Sequence, residues 1–257
     1  MKISVITVSY NSETTIADTI RSVAIQIHPD VEHLVIDGAS TDDTVKVVEA
    51  NRYRNLLLNS EPDMGIYDAM NKGLGRATGE IIGFLNADDF FADADALTLV
   101  AQAFESDPCI EACFGNLVYV TQDNSKVVRF WKSRSYKKGC FARGWSPAHP
   151  TFYIRRSALN RLGHFDLNYR LAADVEFMMR YLELGGIQSK YIPQILVRMR
   201  LGGATNQSWR NILRQNLEIL KAFKKNNIPY SLPSFAINKL TNRVWQRLLG
   251  YNTLLLL

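Results

Sequence analysis

The chain has 257 residues, of which 47% are hydrophobic and 21% are charged. That length and composition are those of an ordinary soluble globular protein with room for one large α/β domain. No apolar run approaches the roughly 20 residues of a membrane-spanning helix, and the N-terminus lacks a signal-peptide layout. The cysteines, Cys109, Cys113 and Cys140, have no metal-ligand spacing with histidine, so we expect reduced thiols in a cytoplasmic protein.

The net charge of +5 is unevenly distributed along the chain. Residues 1–197 carry 20 Lys and Arg against 24 Asp and Glu, a net −4, whereas residues 198–257 carry 10 against one, a net +9. A second basic stretch, residues 126–143, has seven cations and no acid. Such regions attract anionic partners, which include phosphates, acidic lipid surfaces and nucleic acid.

Short apolar runs alternate with amphipathic stretches along the first half of the chain. The first amphipathic stretch follows Ser12, and Ser40 is expected to cap the helix after the second run. We predict strands at residues 3–9, 33–37, 56–59 and 81–85. Strand–helix units of this kind form right-handed parallel crossovers, so the sequence predicts an α/β fold with a mostly parallel central sheet flanked by helices. No GxGxxG motif follows the first strand, which argues against a dehydrogenase.

The alternation changes after a helix predicted at residues 94–106. Residues 112–121 and 126–131 are typical of a hairpin, and residues 132–150 form a long basic and aromatic loop, which in a compact domain is usually functional or mobile. We predict the remaining elements at residues 151–154 (strand), 156–162 (helix), 174–184 (helix), 187–192 and 195–200 (strands), 208–223 (helix) and around 240–248 (helix). A small antiparallel part and C-terminal helices therefore complete the predicted fold.

Three polar residues, Asn86, Asp88 and Asp89, come directly after the apolar run at residues 81–85. An unbroken apolar run suits a strand covered on both faces, and ligands bind at the carboxyl ends of such strands in open α/β sheets. Two adjacent carboxylates there can hold a hard divalent cation together with substrate phosphates. For the Asp pair alone, the alternative is a solvated turn with an Asp N-cap for the next helix.

Four stretches in chain order resemble the motifs of family 2 nucleotide-sugar glycosyltransferases, which have a GT-A fold. They are ITVSYN (residues 6–11), VIDGASTDDT (35–44), EPDMGIYDAMNKG (61–73) and ATGEIIGFLNADD (77–89). The third stretch is similar to a narrower group that assembles colanic acid and other surface polysaccharides. Four spaced motifs are far more specific than any one of them.

The resemblance extends over about residues 3–200 and implies how the chain is divided. A GT-A catalytic domain takes residues 1–200, with a nucleotide-sugar-binding half at 1–110 and an acceptor-side half at 111–200. Residues 201–257 are expected to form basic amphipathic helices after that domain.

The resemblance places nucleotide-binding residues at the ends of the first two strands. Thr7 and Tyr10, with Asn11 beside them, match the loop that lines the nucleotide base, on which an aromatic ring can stack. Asp37 matches an acid that accepts a hydrogen bond from the base, and a carboxylate suits an N–H of uracil or guanine. A turn-stabilising role is the alternative for Asp37.

The same resemblance implies donor contacts from polar residues of the helix predicted at residues 67–76. Lys72, with Asn71 beside it, can face the donor phosphates as a point charge, and Asp68 lies one turn earlier. Simple exposure to solvent is the alternative for Lys72, and pairing with a neighbour is the alternative for Asp68.

Asp88 and Asp89 match the metal-binding acids of the family, whereas Asn86 replaces the usual first acid of that signature. Asn86 and Asp88 are also expected to contact the nucleotide sugar. The implied cofactor is Mg²⁺ or Mn²⁺, because oxygen ligands select hard cations. Such an ion would neutralise the charge that builds up on the departing diphosphate.

Asp174 matches the family position of the catalytic base, commonly a Glu-Asp pair in which Ala173 here replaces the Glu. In inverting transfer, a carboxylate takes the proton of the acceptor hydroxyl while that oxygen attacks the anomeric carbon opposite the leaving diphosphate. Glu176 is the second candidate for this role. An N-cap at the start of the predicted helix is the alternative for Asp174.

His149, which follows the basic loop, resembles the acceptor-side segment of the family, and Trp145 of that loop is expected to contact the acceptor as well. A purely structural role is the alternative for His149. The Gln-x-x-Arg-Trp signature of processive synthases is missing, since residues 207–210 have the wrong order. The resemblance thus implies that one sugar is added per encounter.

We therefore expect an inverting, metal-dependent glycosyltransferase that uses a UDP- or GDP-linked sugar donor. The expected acceptor is a saccharide, in particular one linked to polyprenyl diphosphate, in bacterial surface polysaccharide synthesis. The basic C-terminal part and the loop at residues 126–145 can dock on an anionic membrane surface at the inner face of the plasma membrane. Packing of those C-terminal helices on the catalytic domain is the equal alternative.

Three other functions are weighed against this hypothesis. A sugar nucleotidyltransferase shares the α/β half, but its glycine-rich, arginine-containing first loop is not seen after Ile6. Nucleic acid is not an expected partner, because the cations are not interleaved with a recognised reading motif. A catalytically silent nucleotide-sugar-binding or scaffold protein stays open, because Asn86 and Ala173 stand where the family has acids.

Overall fold

The structure is a computed structural model that describes residues 1–202 and 209–253. Its strands are β1 (Ile3–Ser9), β2 (Val31–Asp37), β3 (Leu56–Ser60), β4 (Ile81–Phe84), β5 (Asp89–Phe91), β6 (Ile110–Val120), β7 (Val127–Trp131), β8 (Tyr153–Arg155) and β9 (Gln188–Arg200). Its helices are α1 (Ile16–Ala24), α2 (Thr44–Ala50), α3 (Ile66–Arg76), α4 (Ala96–Glu105), α5 (Arg156–Leu162), α6 (Ala173–Met179), α7 (Trp209–Lys225) and α8 (Leu232–Thr253). The predicted helix start at residue 208 and the last four residues of the predicted C-terminal part lie outside the described residues.

The strands β3, β2, β1 and β4 lie side by side and run parallel, which confirms the predicted strand–helix repeats. Ser9, Asp37 and Ser60 pair in one row at the carboxyl ends of three of these strands. Asn86 and Asp88 follow β4 at the same edge, because the carboxyl ends of neighbouring parallel strands meet there.

Beyond β4 the sheet is mixed and contains the predicted antiparallel part. The order continues with β8, β6, β9 and β5, and β7 pairs with β6 in the predicted hairpin. The two strands predicted at residues 187–192 and 195–200 are one strand, β9, whose register against β6 shifts around Asn116. Pro193 has no N–H for the ladder, and the Asn116 side chain donates to its carbonyl at 3.0 Å, which explains the irregularity without a strand break.

Two predicted helix starts are wrong. The first helix begins at Ile16 and not near Ser12, and the second begins at Thr44, four residues after the predicted cap. The Ser40 hydroxyl donates instead to the Asp37 carboxylate at 2.5 Å. The loop therefore uses its serine to close the end of β2 and not to start α2.

Both faces of the sheet are covered by helices. β1 is buried at every position, and the two apolar clusters on either side of it contain residues of α3, α5, α6 and α7 on one face and of α4 on the other. α8 lies across β7 and the short helical turn at Phe141–Arg143. Within the two described ranges, no helix is both long and apolar enough to cross a membrane.

Candidate active site

Asp37 ends β2 with a fully buried side chain. Its carboxylate accepts hydrogen bonds from the hydroxyls of Ser9 (3.1 Å) and Ser60 (2.7 Å), and from both the hydroxyl (2.5 Å) and the backbone N–H (2.9 Å) of Ser40. These bonds occupy both oxygens and tie the ends of β1, β2 and β3 together. These bonds give Asp37 the turn-stabilising role that the sequence offers as the alternative. Contact between Asp37 and a nucleotide base stays a prediction.

Tyr10 presents an aromatic ring at the end of β1, with 62% of the residue exposed. A Cβ on Gly38 would overlap Asp63 Oδ2 and would lie 3.4 Å from the Tyr10 ring, so glycine lets that carboxylate and that ring both approach the backbone here. A ring and a carboxylate are the groups that recognise a base by stacking and by hydrogen bonding. Asp63 is not among the residues that the sequence predicts.

Thr7 and Asn11 support this surface. Thr7 is fully buried, and its hydroxyl oxygen lies 2.9 Å from His33 Nε2. Asn11 has a left-handed backbone (φ 49°), and its side-chain oxygen accepts the backbone N–H of Thr41 at 2.9 Å. These contacts fix the loop after β1, and direct donor contacts from Thr7 and Asn11 stay predictions.

The polar residues of α3 all bind other parts of the chain. Asn71 clamps the backbone of Phe165, donating to its carbonyl and accepting from its N–H, each at 3.0 Å. Asp68 accepts the backbone N–H of Met64 (3.0 Å) in front of the helix. Lys72 donates to a backbone carbonyl in the preceding loop (2.6 Å) and lies 3.6 Å from Asp68. Donor contacts from these three residues stay predictions, and the pairing suggested for Asp68 is present.

The two adjacent acids after β4 have different surroundings. Asp89 is fully buried and accepts the side-chain N–H of Asn86 at 3.1 Å. Its burial, together with the charge of Asp88, raises the pKa of Asp89 well above the usual value. Asp88 is partly exposed, and burial raises its pKa, although a backbone hydrogen bond and the Arg200 guanidinium oppose this. Asp88 is therefore the carboxylate that a ligand can reach.

The oxygens at this strand end suit a hard cation in their chemistry. Besides the Asp88 carboxylate, Asn86 Oδ1 and Asp89 Oδ1 are buried without a hydrogen-bond partner, and oxygen donors select Mg²⁺ or Mn²⁺. No three His, Cys, Asp or Glu side chains of the described residues come together as a metal site. An ion bound here would thus take part of its coordination from the donor phosphates.

A cavity of about 180 Å³ lies between the β6–β7 hairpin, the loop before β8, and α6, α7 and α8. Asp174, His149 and Trp145 line this cavity, so one candidate base and both predicted acceptor residues share it. Asp37 and Asp88 do not line it. The cavity is therefore separate from the strand ends where the donor residues are predicted.

The two candidate bases on α6 differ in what they contact. Asp174 lines the cavity and accepts a hydrogen bond from the Tyr67 hydroxyl at 3.1 Å. Glu176 is only 1% exposed and forms an ion pair with Arg180 at 3.2 Å. A buried, ion-paired carboxylate stabilises the helix and has no access to an acceptor hydroxyl. Asp174 is thus the better placed of the two, while Glu176 anchors α6.

His149 and Trp145 each bring an unpaired polar atom to the cavity wall. His149 stacks on Phe84 with ring centroids 5.2 Å apart, and both His149 and Trp145 are 7% exposed. His149 Nε2 and Trp145 Nε1 are buried without a hydrogen-bond partner. Burial lowers the pKa of His149, although the Asp174 charge opposes this. Unsatisfied buried polar atoms are uncommon, so both point to a polar ligand in the cavity.

Residues 4–163 match the family model described as glycosyl transferase family 2, which is more than half of the chain. The chain belongs to glycosyl transferase family 2. This assignment confirms the family that the four motifs indicate, and it favours sugar transfer over nucleotidyl transfer.

Relatives of this family 2 member are themselves described as glycosyltransferases. An uncharacterized glycosyltransferase of Mycobacterium tuberculosis (strain CDC 1551 / Oshkosh) is 31% identical over 183 residues, covering 69% of this chain and 68% of that protein. A PGL/p-HBAD biosynthesis glycosyltransferase of Mycobacterium bovis (strain BCG / Pasteur 1173P2) is 28% identical over 207 residues, covering 79% of this chain and 78% of that protein.

Two solved structures confirm the GT-A fold. A mannosyltransferase from Pyrobaculum calidifontis, in complex with GDP-Man and Mn²⁺, has a TM-score of 0.67 at 22% identity, covering 95% of this chain and 69% of that chain. S. aureus TarS in complex with UDP-GlcNAc has a TM-score of 0.62 at 23% identity and covers 79% of this chain. The match spans 60% of the TarS chain, which is less than two thirds.

In this glycosyltransferase the strand ends and the cavity adjoin. Asp89, Met199 and Tyr119 pair in one row across β5, β9 and β6, and the last two line the cavity. Tyr67 gives a second link, because it stands in the first turn of α3 after β3 and donates to Asp174. Polar groups from separate segments thus converge on neighbouring regions at one end of the molecule.

The sequence does not single out three of the residues found here. Tyr67 lies inside the third motif, but nothing in its spacing indicates that it reaches Asp174 on α6. Lys239 and Arg243 line the cavity and are four residues apart on α8. That spacing predicts that both side chains lie on one face of the helix. It does not indicate which part of the protein this face packs against.

Proposed function

We propose that this chain transfers a sugar, with inversion, from a nucleotide-diphosphate sugar to a hydroxyl of an acceptor bound in the cavity. The observation that carries the proposal is the placement of Asp174, a carboxylate that lines a cavity beside the strand ends of a GT-A fold. One sugar is transferred per encounter, in keeping with the missing signature of processive synthases.

The donor nucleotide would bind at the strand ends, with its base on the Tyr10 ring and beside Asp63. Support comes from the exposed Tyr10 ring, which lies with the Asp63 carboxylate around Gly38. Structural relatives were solved with UDP-GlcNAc or with GDP-Man, so a nucleoside-diphosphate sugar is the donor class, and the choice between uridine and guanosine stays a prediction.

A divalent ion, Mg²⁺ or Mn²⁺, would be held by Asp88 and the donor phosphates. When bound, it would neutralise the charge of the leaving diphosphate. The side chain of Asn86 donates to the buried Asp89 carboxylate at 3.1 Å. This hydrogen bond would help to fix the backbone that carries Asp88. The mannosyltransferase from Pyrobaculum calidifontis was solved with Mn²⁺, which supports the use of a divalent ion.

Asp174 would act as the general base. Tyr67 holds one carboxylate oxygen, and a carboxylate held in this way can take the proton of the acceptor hydroxyl. The acceptor oxygen forms its bond to the anomeric carbon as the bond from that carbon to the diphosphate oxygen breaks. The electron pair of the broken bond leaves with the nucleoside diphosphate.

The acceptor is proposed to be a lipid-linked saccharide of bacterial surface polysaccharide synthesis, met at the inner face of the plasma membrane. Supporting this, α8 exposes a stripe of apolar side chains on a net-positive part of the chain; they are Ile237, Leu240, Val244 and Leu248. Amphipathic basic helices of this kind bind anionic bilayer surfaces.

The test combines donor binding with turnover. We expect one class of UDP- or GDP-sugar to raise the thermal midpoint in the presence of Mn²⁺, since a ligand selective for the fold stabilises it by mass action. Asp174→Asn should keep that shift but lose roughly 10²–10⁴-fold in donor turnover, the usual contribution of a general base. Asp95→Asn, which alters an exposed acid before α4, is the matched control.

Two outcomes would oppose the proposal. Failure of every nucleoside-diphosphate sugar to stabilise the protein, with and without Mn²⁺, would remove the donor assignment. Binding without any turnover by the unaltered chain would favour the catalytically silent sugar-binding protein, which the replacements at Asn86 and Ala173 keep open.

A further inference from the structure

One wall of the cavity is strongly cationic. Arg129 from β7 and Lys239 and Arg243 from α8 line it, and among the described residues of the lining Asp174 is the one acid. Three cations against one carboxylate leave an excess of positive charge in a space of about 180 Å³. A neutral saccharide needs no such charge to bind, so the wall suits an anionic ligand better.

Arg129 is held in a fixed position. Its guanidinium lies over the rings of Tyr119 (4.7 Å to the centroid) and Trp131 (5.3 Å), and both its Nε (2.8 Å) and one of its Nη groups donate to the side-chain oxygen of Gln246. Stacking on two rings orients the planar guanidinium, which is the group that binds phosphate oxygens in a forked geometry. β7 and α8 together therefore position this arginine.

Lys239 is a half-buried cation on the inner part of this wall. Its ammonium donates to Asn216 at 2.6 Å, and burial together with Arg243 lowers its pKa to about 8, although the Asp174 charge opposes the shift. Within the described residues, neither Lys239 nor Arg243 forms an ion pair with a carboxylate. Gathering like charges away from water is costly unless an anion joins them.

The backbone around this wall is built for close packing. Gly144 has a left-handed φ of 70°, and a Cβ there would lie 2.9 Å from the Lys239 backbone nitrogen and 3.0 Å from the Phe235 carbonyl. The loop before β8 therefore touches the α8 backbone directly. This contact fixes the distance between Lys239 and the unpaired Trp145 Nε1, the residue that follows Gly144.

We propose that this wall is a subsite for a phosphate or diphosphate group of the acceptor, bound by Arg129, Lys239 and Arg243 while the acceptor hydroxyl reaches Asp174. The inference rests on the proposed function, since it identifies the chemistry of the acceptor in that same cavity. Two guanidinium groups and one ammonium match several phosphate oxygens and more than one negative charge, whereas a single carboxylate would need only one fork. The donor diphosphate is proposed at Asp88, which does not line the cavity.

The experiment measures binding of inorganic pyrophosphate to the full chain by calorimetry, with EDTA present so that no metal site contributes. Arg243→Gln and Lys239→Gln should each weaken binding by about tenfold, roughly one charge-assisted hydrogen bond. Arg214→Gln and Lys224→Gln, which remove exposed cations of α7, should stay within about twofold. Thermal midpoints of all variants report whether each one folds, and Arg243→Lys gives a second variant that keeps the charge.

Parallel measurements separate the sources of phosphate and the two proposals. If pyrophosphate does not bind, or binds Arg243→Gln and the unaltered chain alike, the subsite is overturned. It is also overturned if the variants bind pyrophosphate normally but lose binding to phosphatidylglycerol vesicles, since the cations would then serve a lipid surface. Donor binding with Mn²⁺ is measured on the same proteins. If the unaltered chain binds pyrophosphate but no donor, the proposed function is overturned and the anion subsite is not. Selective loss of donor binding in Arg243→Gln overturns the subsite in favour of a contact with the leaving diphosphate.

Discussion

Asp174 and Glu176 stand two residues apart at the start of α6, yet they face opposite environments. Asp174 meets a cavity and one tyrosine hydroxyl, whereas Glu176 is buried against Arg180. On a helix, residues two apart point to different sides, so only one of them can face a given cavity. The same contrast holds between Asp88, which a ligand can reach, and the buried Asp89. In both pairs we propose that the accessible acid takes part in the reaction and that the buried acid stabilises the structure around it.

Tyr67 is expected to act as a positioning residue for Asp174. Burial, together with the Asp174 charge, raises the pKa of Tyr67 well above the usual value, so its hydroxyl stays protonated and donates at neutral pH. Tyr67→Phe removes this hydrogen bond to a charged group, which is usually worth about 1.5–3 kcal/mol, and kcat should fall by roughly 10- to 100-fold. The KM for the donor should not change.

Kinetics with saturating donor would check this split between kcat and KM. Tyr191→Phe is a suitable control, because it also removes one tyrosine hydrogen bond, to Asn116 (2.8 Å), but Tyr191 stands on β9 and does not line the cavity. A rise in donor KM with unchanged kcat in Tyr67→Phe would assign Tyr67 to donor binding instead.

At the scale of the elements, the contact between α8 and the loop before β8 decides the shape of the cavity. Gly144 and Gly139 both have positive φ, at 70° and 81°. A Cβ at Gly144 would press on the α8 backbone, whereas a Cβ at Gly139 would meet nothing within 4 Å. Replacing either glycine by alanine should therefore strain the backbone to a similar extent, but only the alanine at position 144 should also clash with a neighbouring helix.

Gly144→Ala is expected to push α8 away and to raise the KM for the acceptor. Gly139→Ala should lose only the backbone term, about 1 kcal/mol of stability, and Gly144→Ala should lose more than this. Chemical denaturation of the two variants would measure the difference. If Gly144→Ala and Gly139→Ala are equally destabilised and have the same KM for the acceptor, the loop and α8 can separate without cost. The close contact at Gly144 would then not matter for acceptor binding.

Much of the fold follows from local patterns, whereas the contacts around the site do not. The apolar runs of β1 and β4 predict buried strands because short, unbroken apolar runs suit strands that are covered on both faces. By contrast, no spacing indicates that Asn71 clamps Phe165, or that Ser40 closes Asp37 instead of capping a helix. The i,i+4 spacing of Glu176 and Arg180 favours their ion pair, but it does not indicate that this pair is buried. Such polar side chains have several partners within reach, and tertiary packing selects one.

At the scale of the whole molecule, the strand edge proposed for the donor, the cavity proposed for the acceptor and the exposed helix α8 follow one another. The cavity adjoins the strand ends through the row that includes Met199 and Tyr119. α8 forms one wall of that cavity with Lys239 and Arg243, and it exposes Leu240 (65%) and Val244 (51%) outside the cavity lining. A bilayer against these exposed side chains would bring a lipid-linked acceptor next to the cavity.

We therefore expect the protein to bind vesicles that contain phosphatidylglycerol and to bind neutral phosphatidylcholine vesicles less. Burying an apolar side chain of this size contributes about 1.5–3 kcal/mol, so replacing Leu240 and Val244 by Gln together should weaken binding by at least about tenfold. High salt should weaken the binding of the unaltered chain, because exposed cations are screened. Vesicle cosedimentation would measure each effect.

Leu57→Gln is the matched control for this prediction, since Leu57 is 52% exposed on β3, at the opposite end of the sheet order from the strands that α8 packs on. If the double variant and the unaltered chain cosediment equally, the stripe on α8 is not a bilayer contact. A chain that dimerises in solution, and does so only while Leu240 and Val244 are present, would instead assign the stripe to a second copy. The cavity and its cations would keep their places in either case, because they face the other side of the same helix.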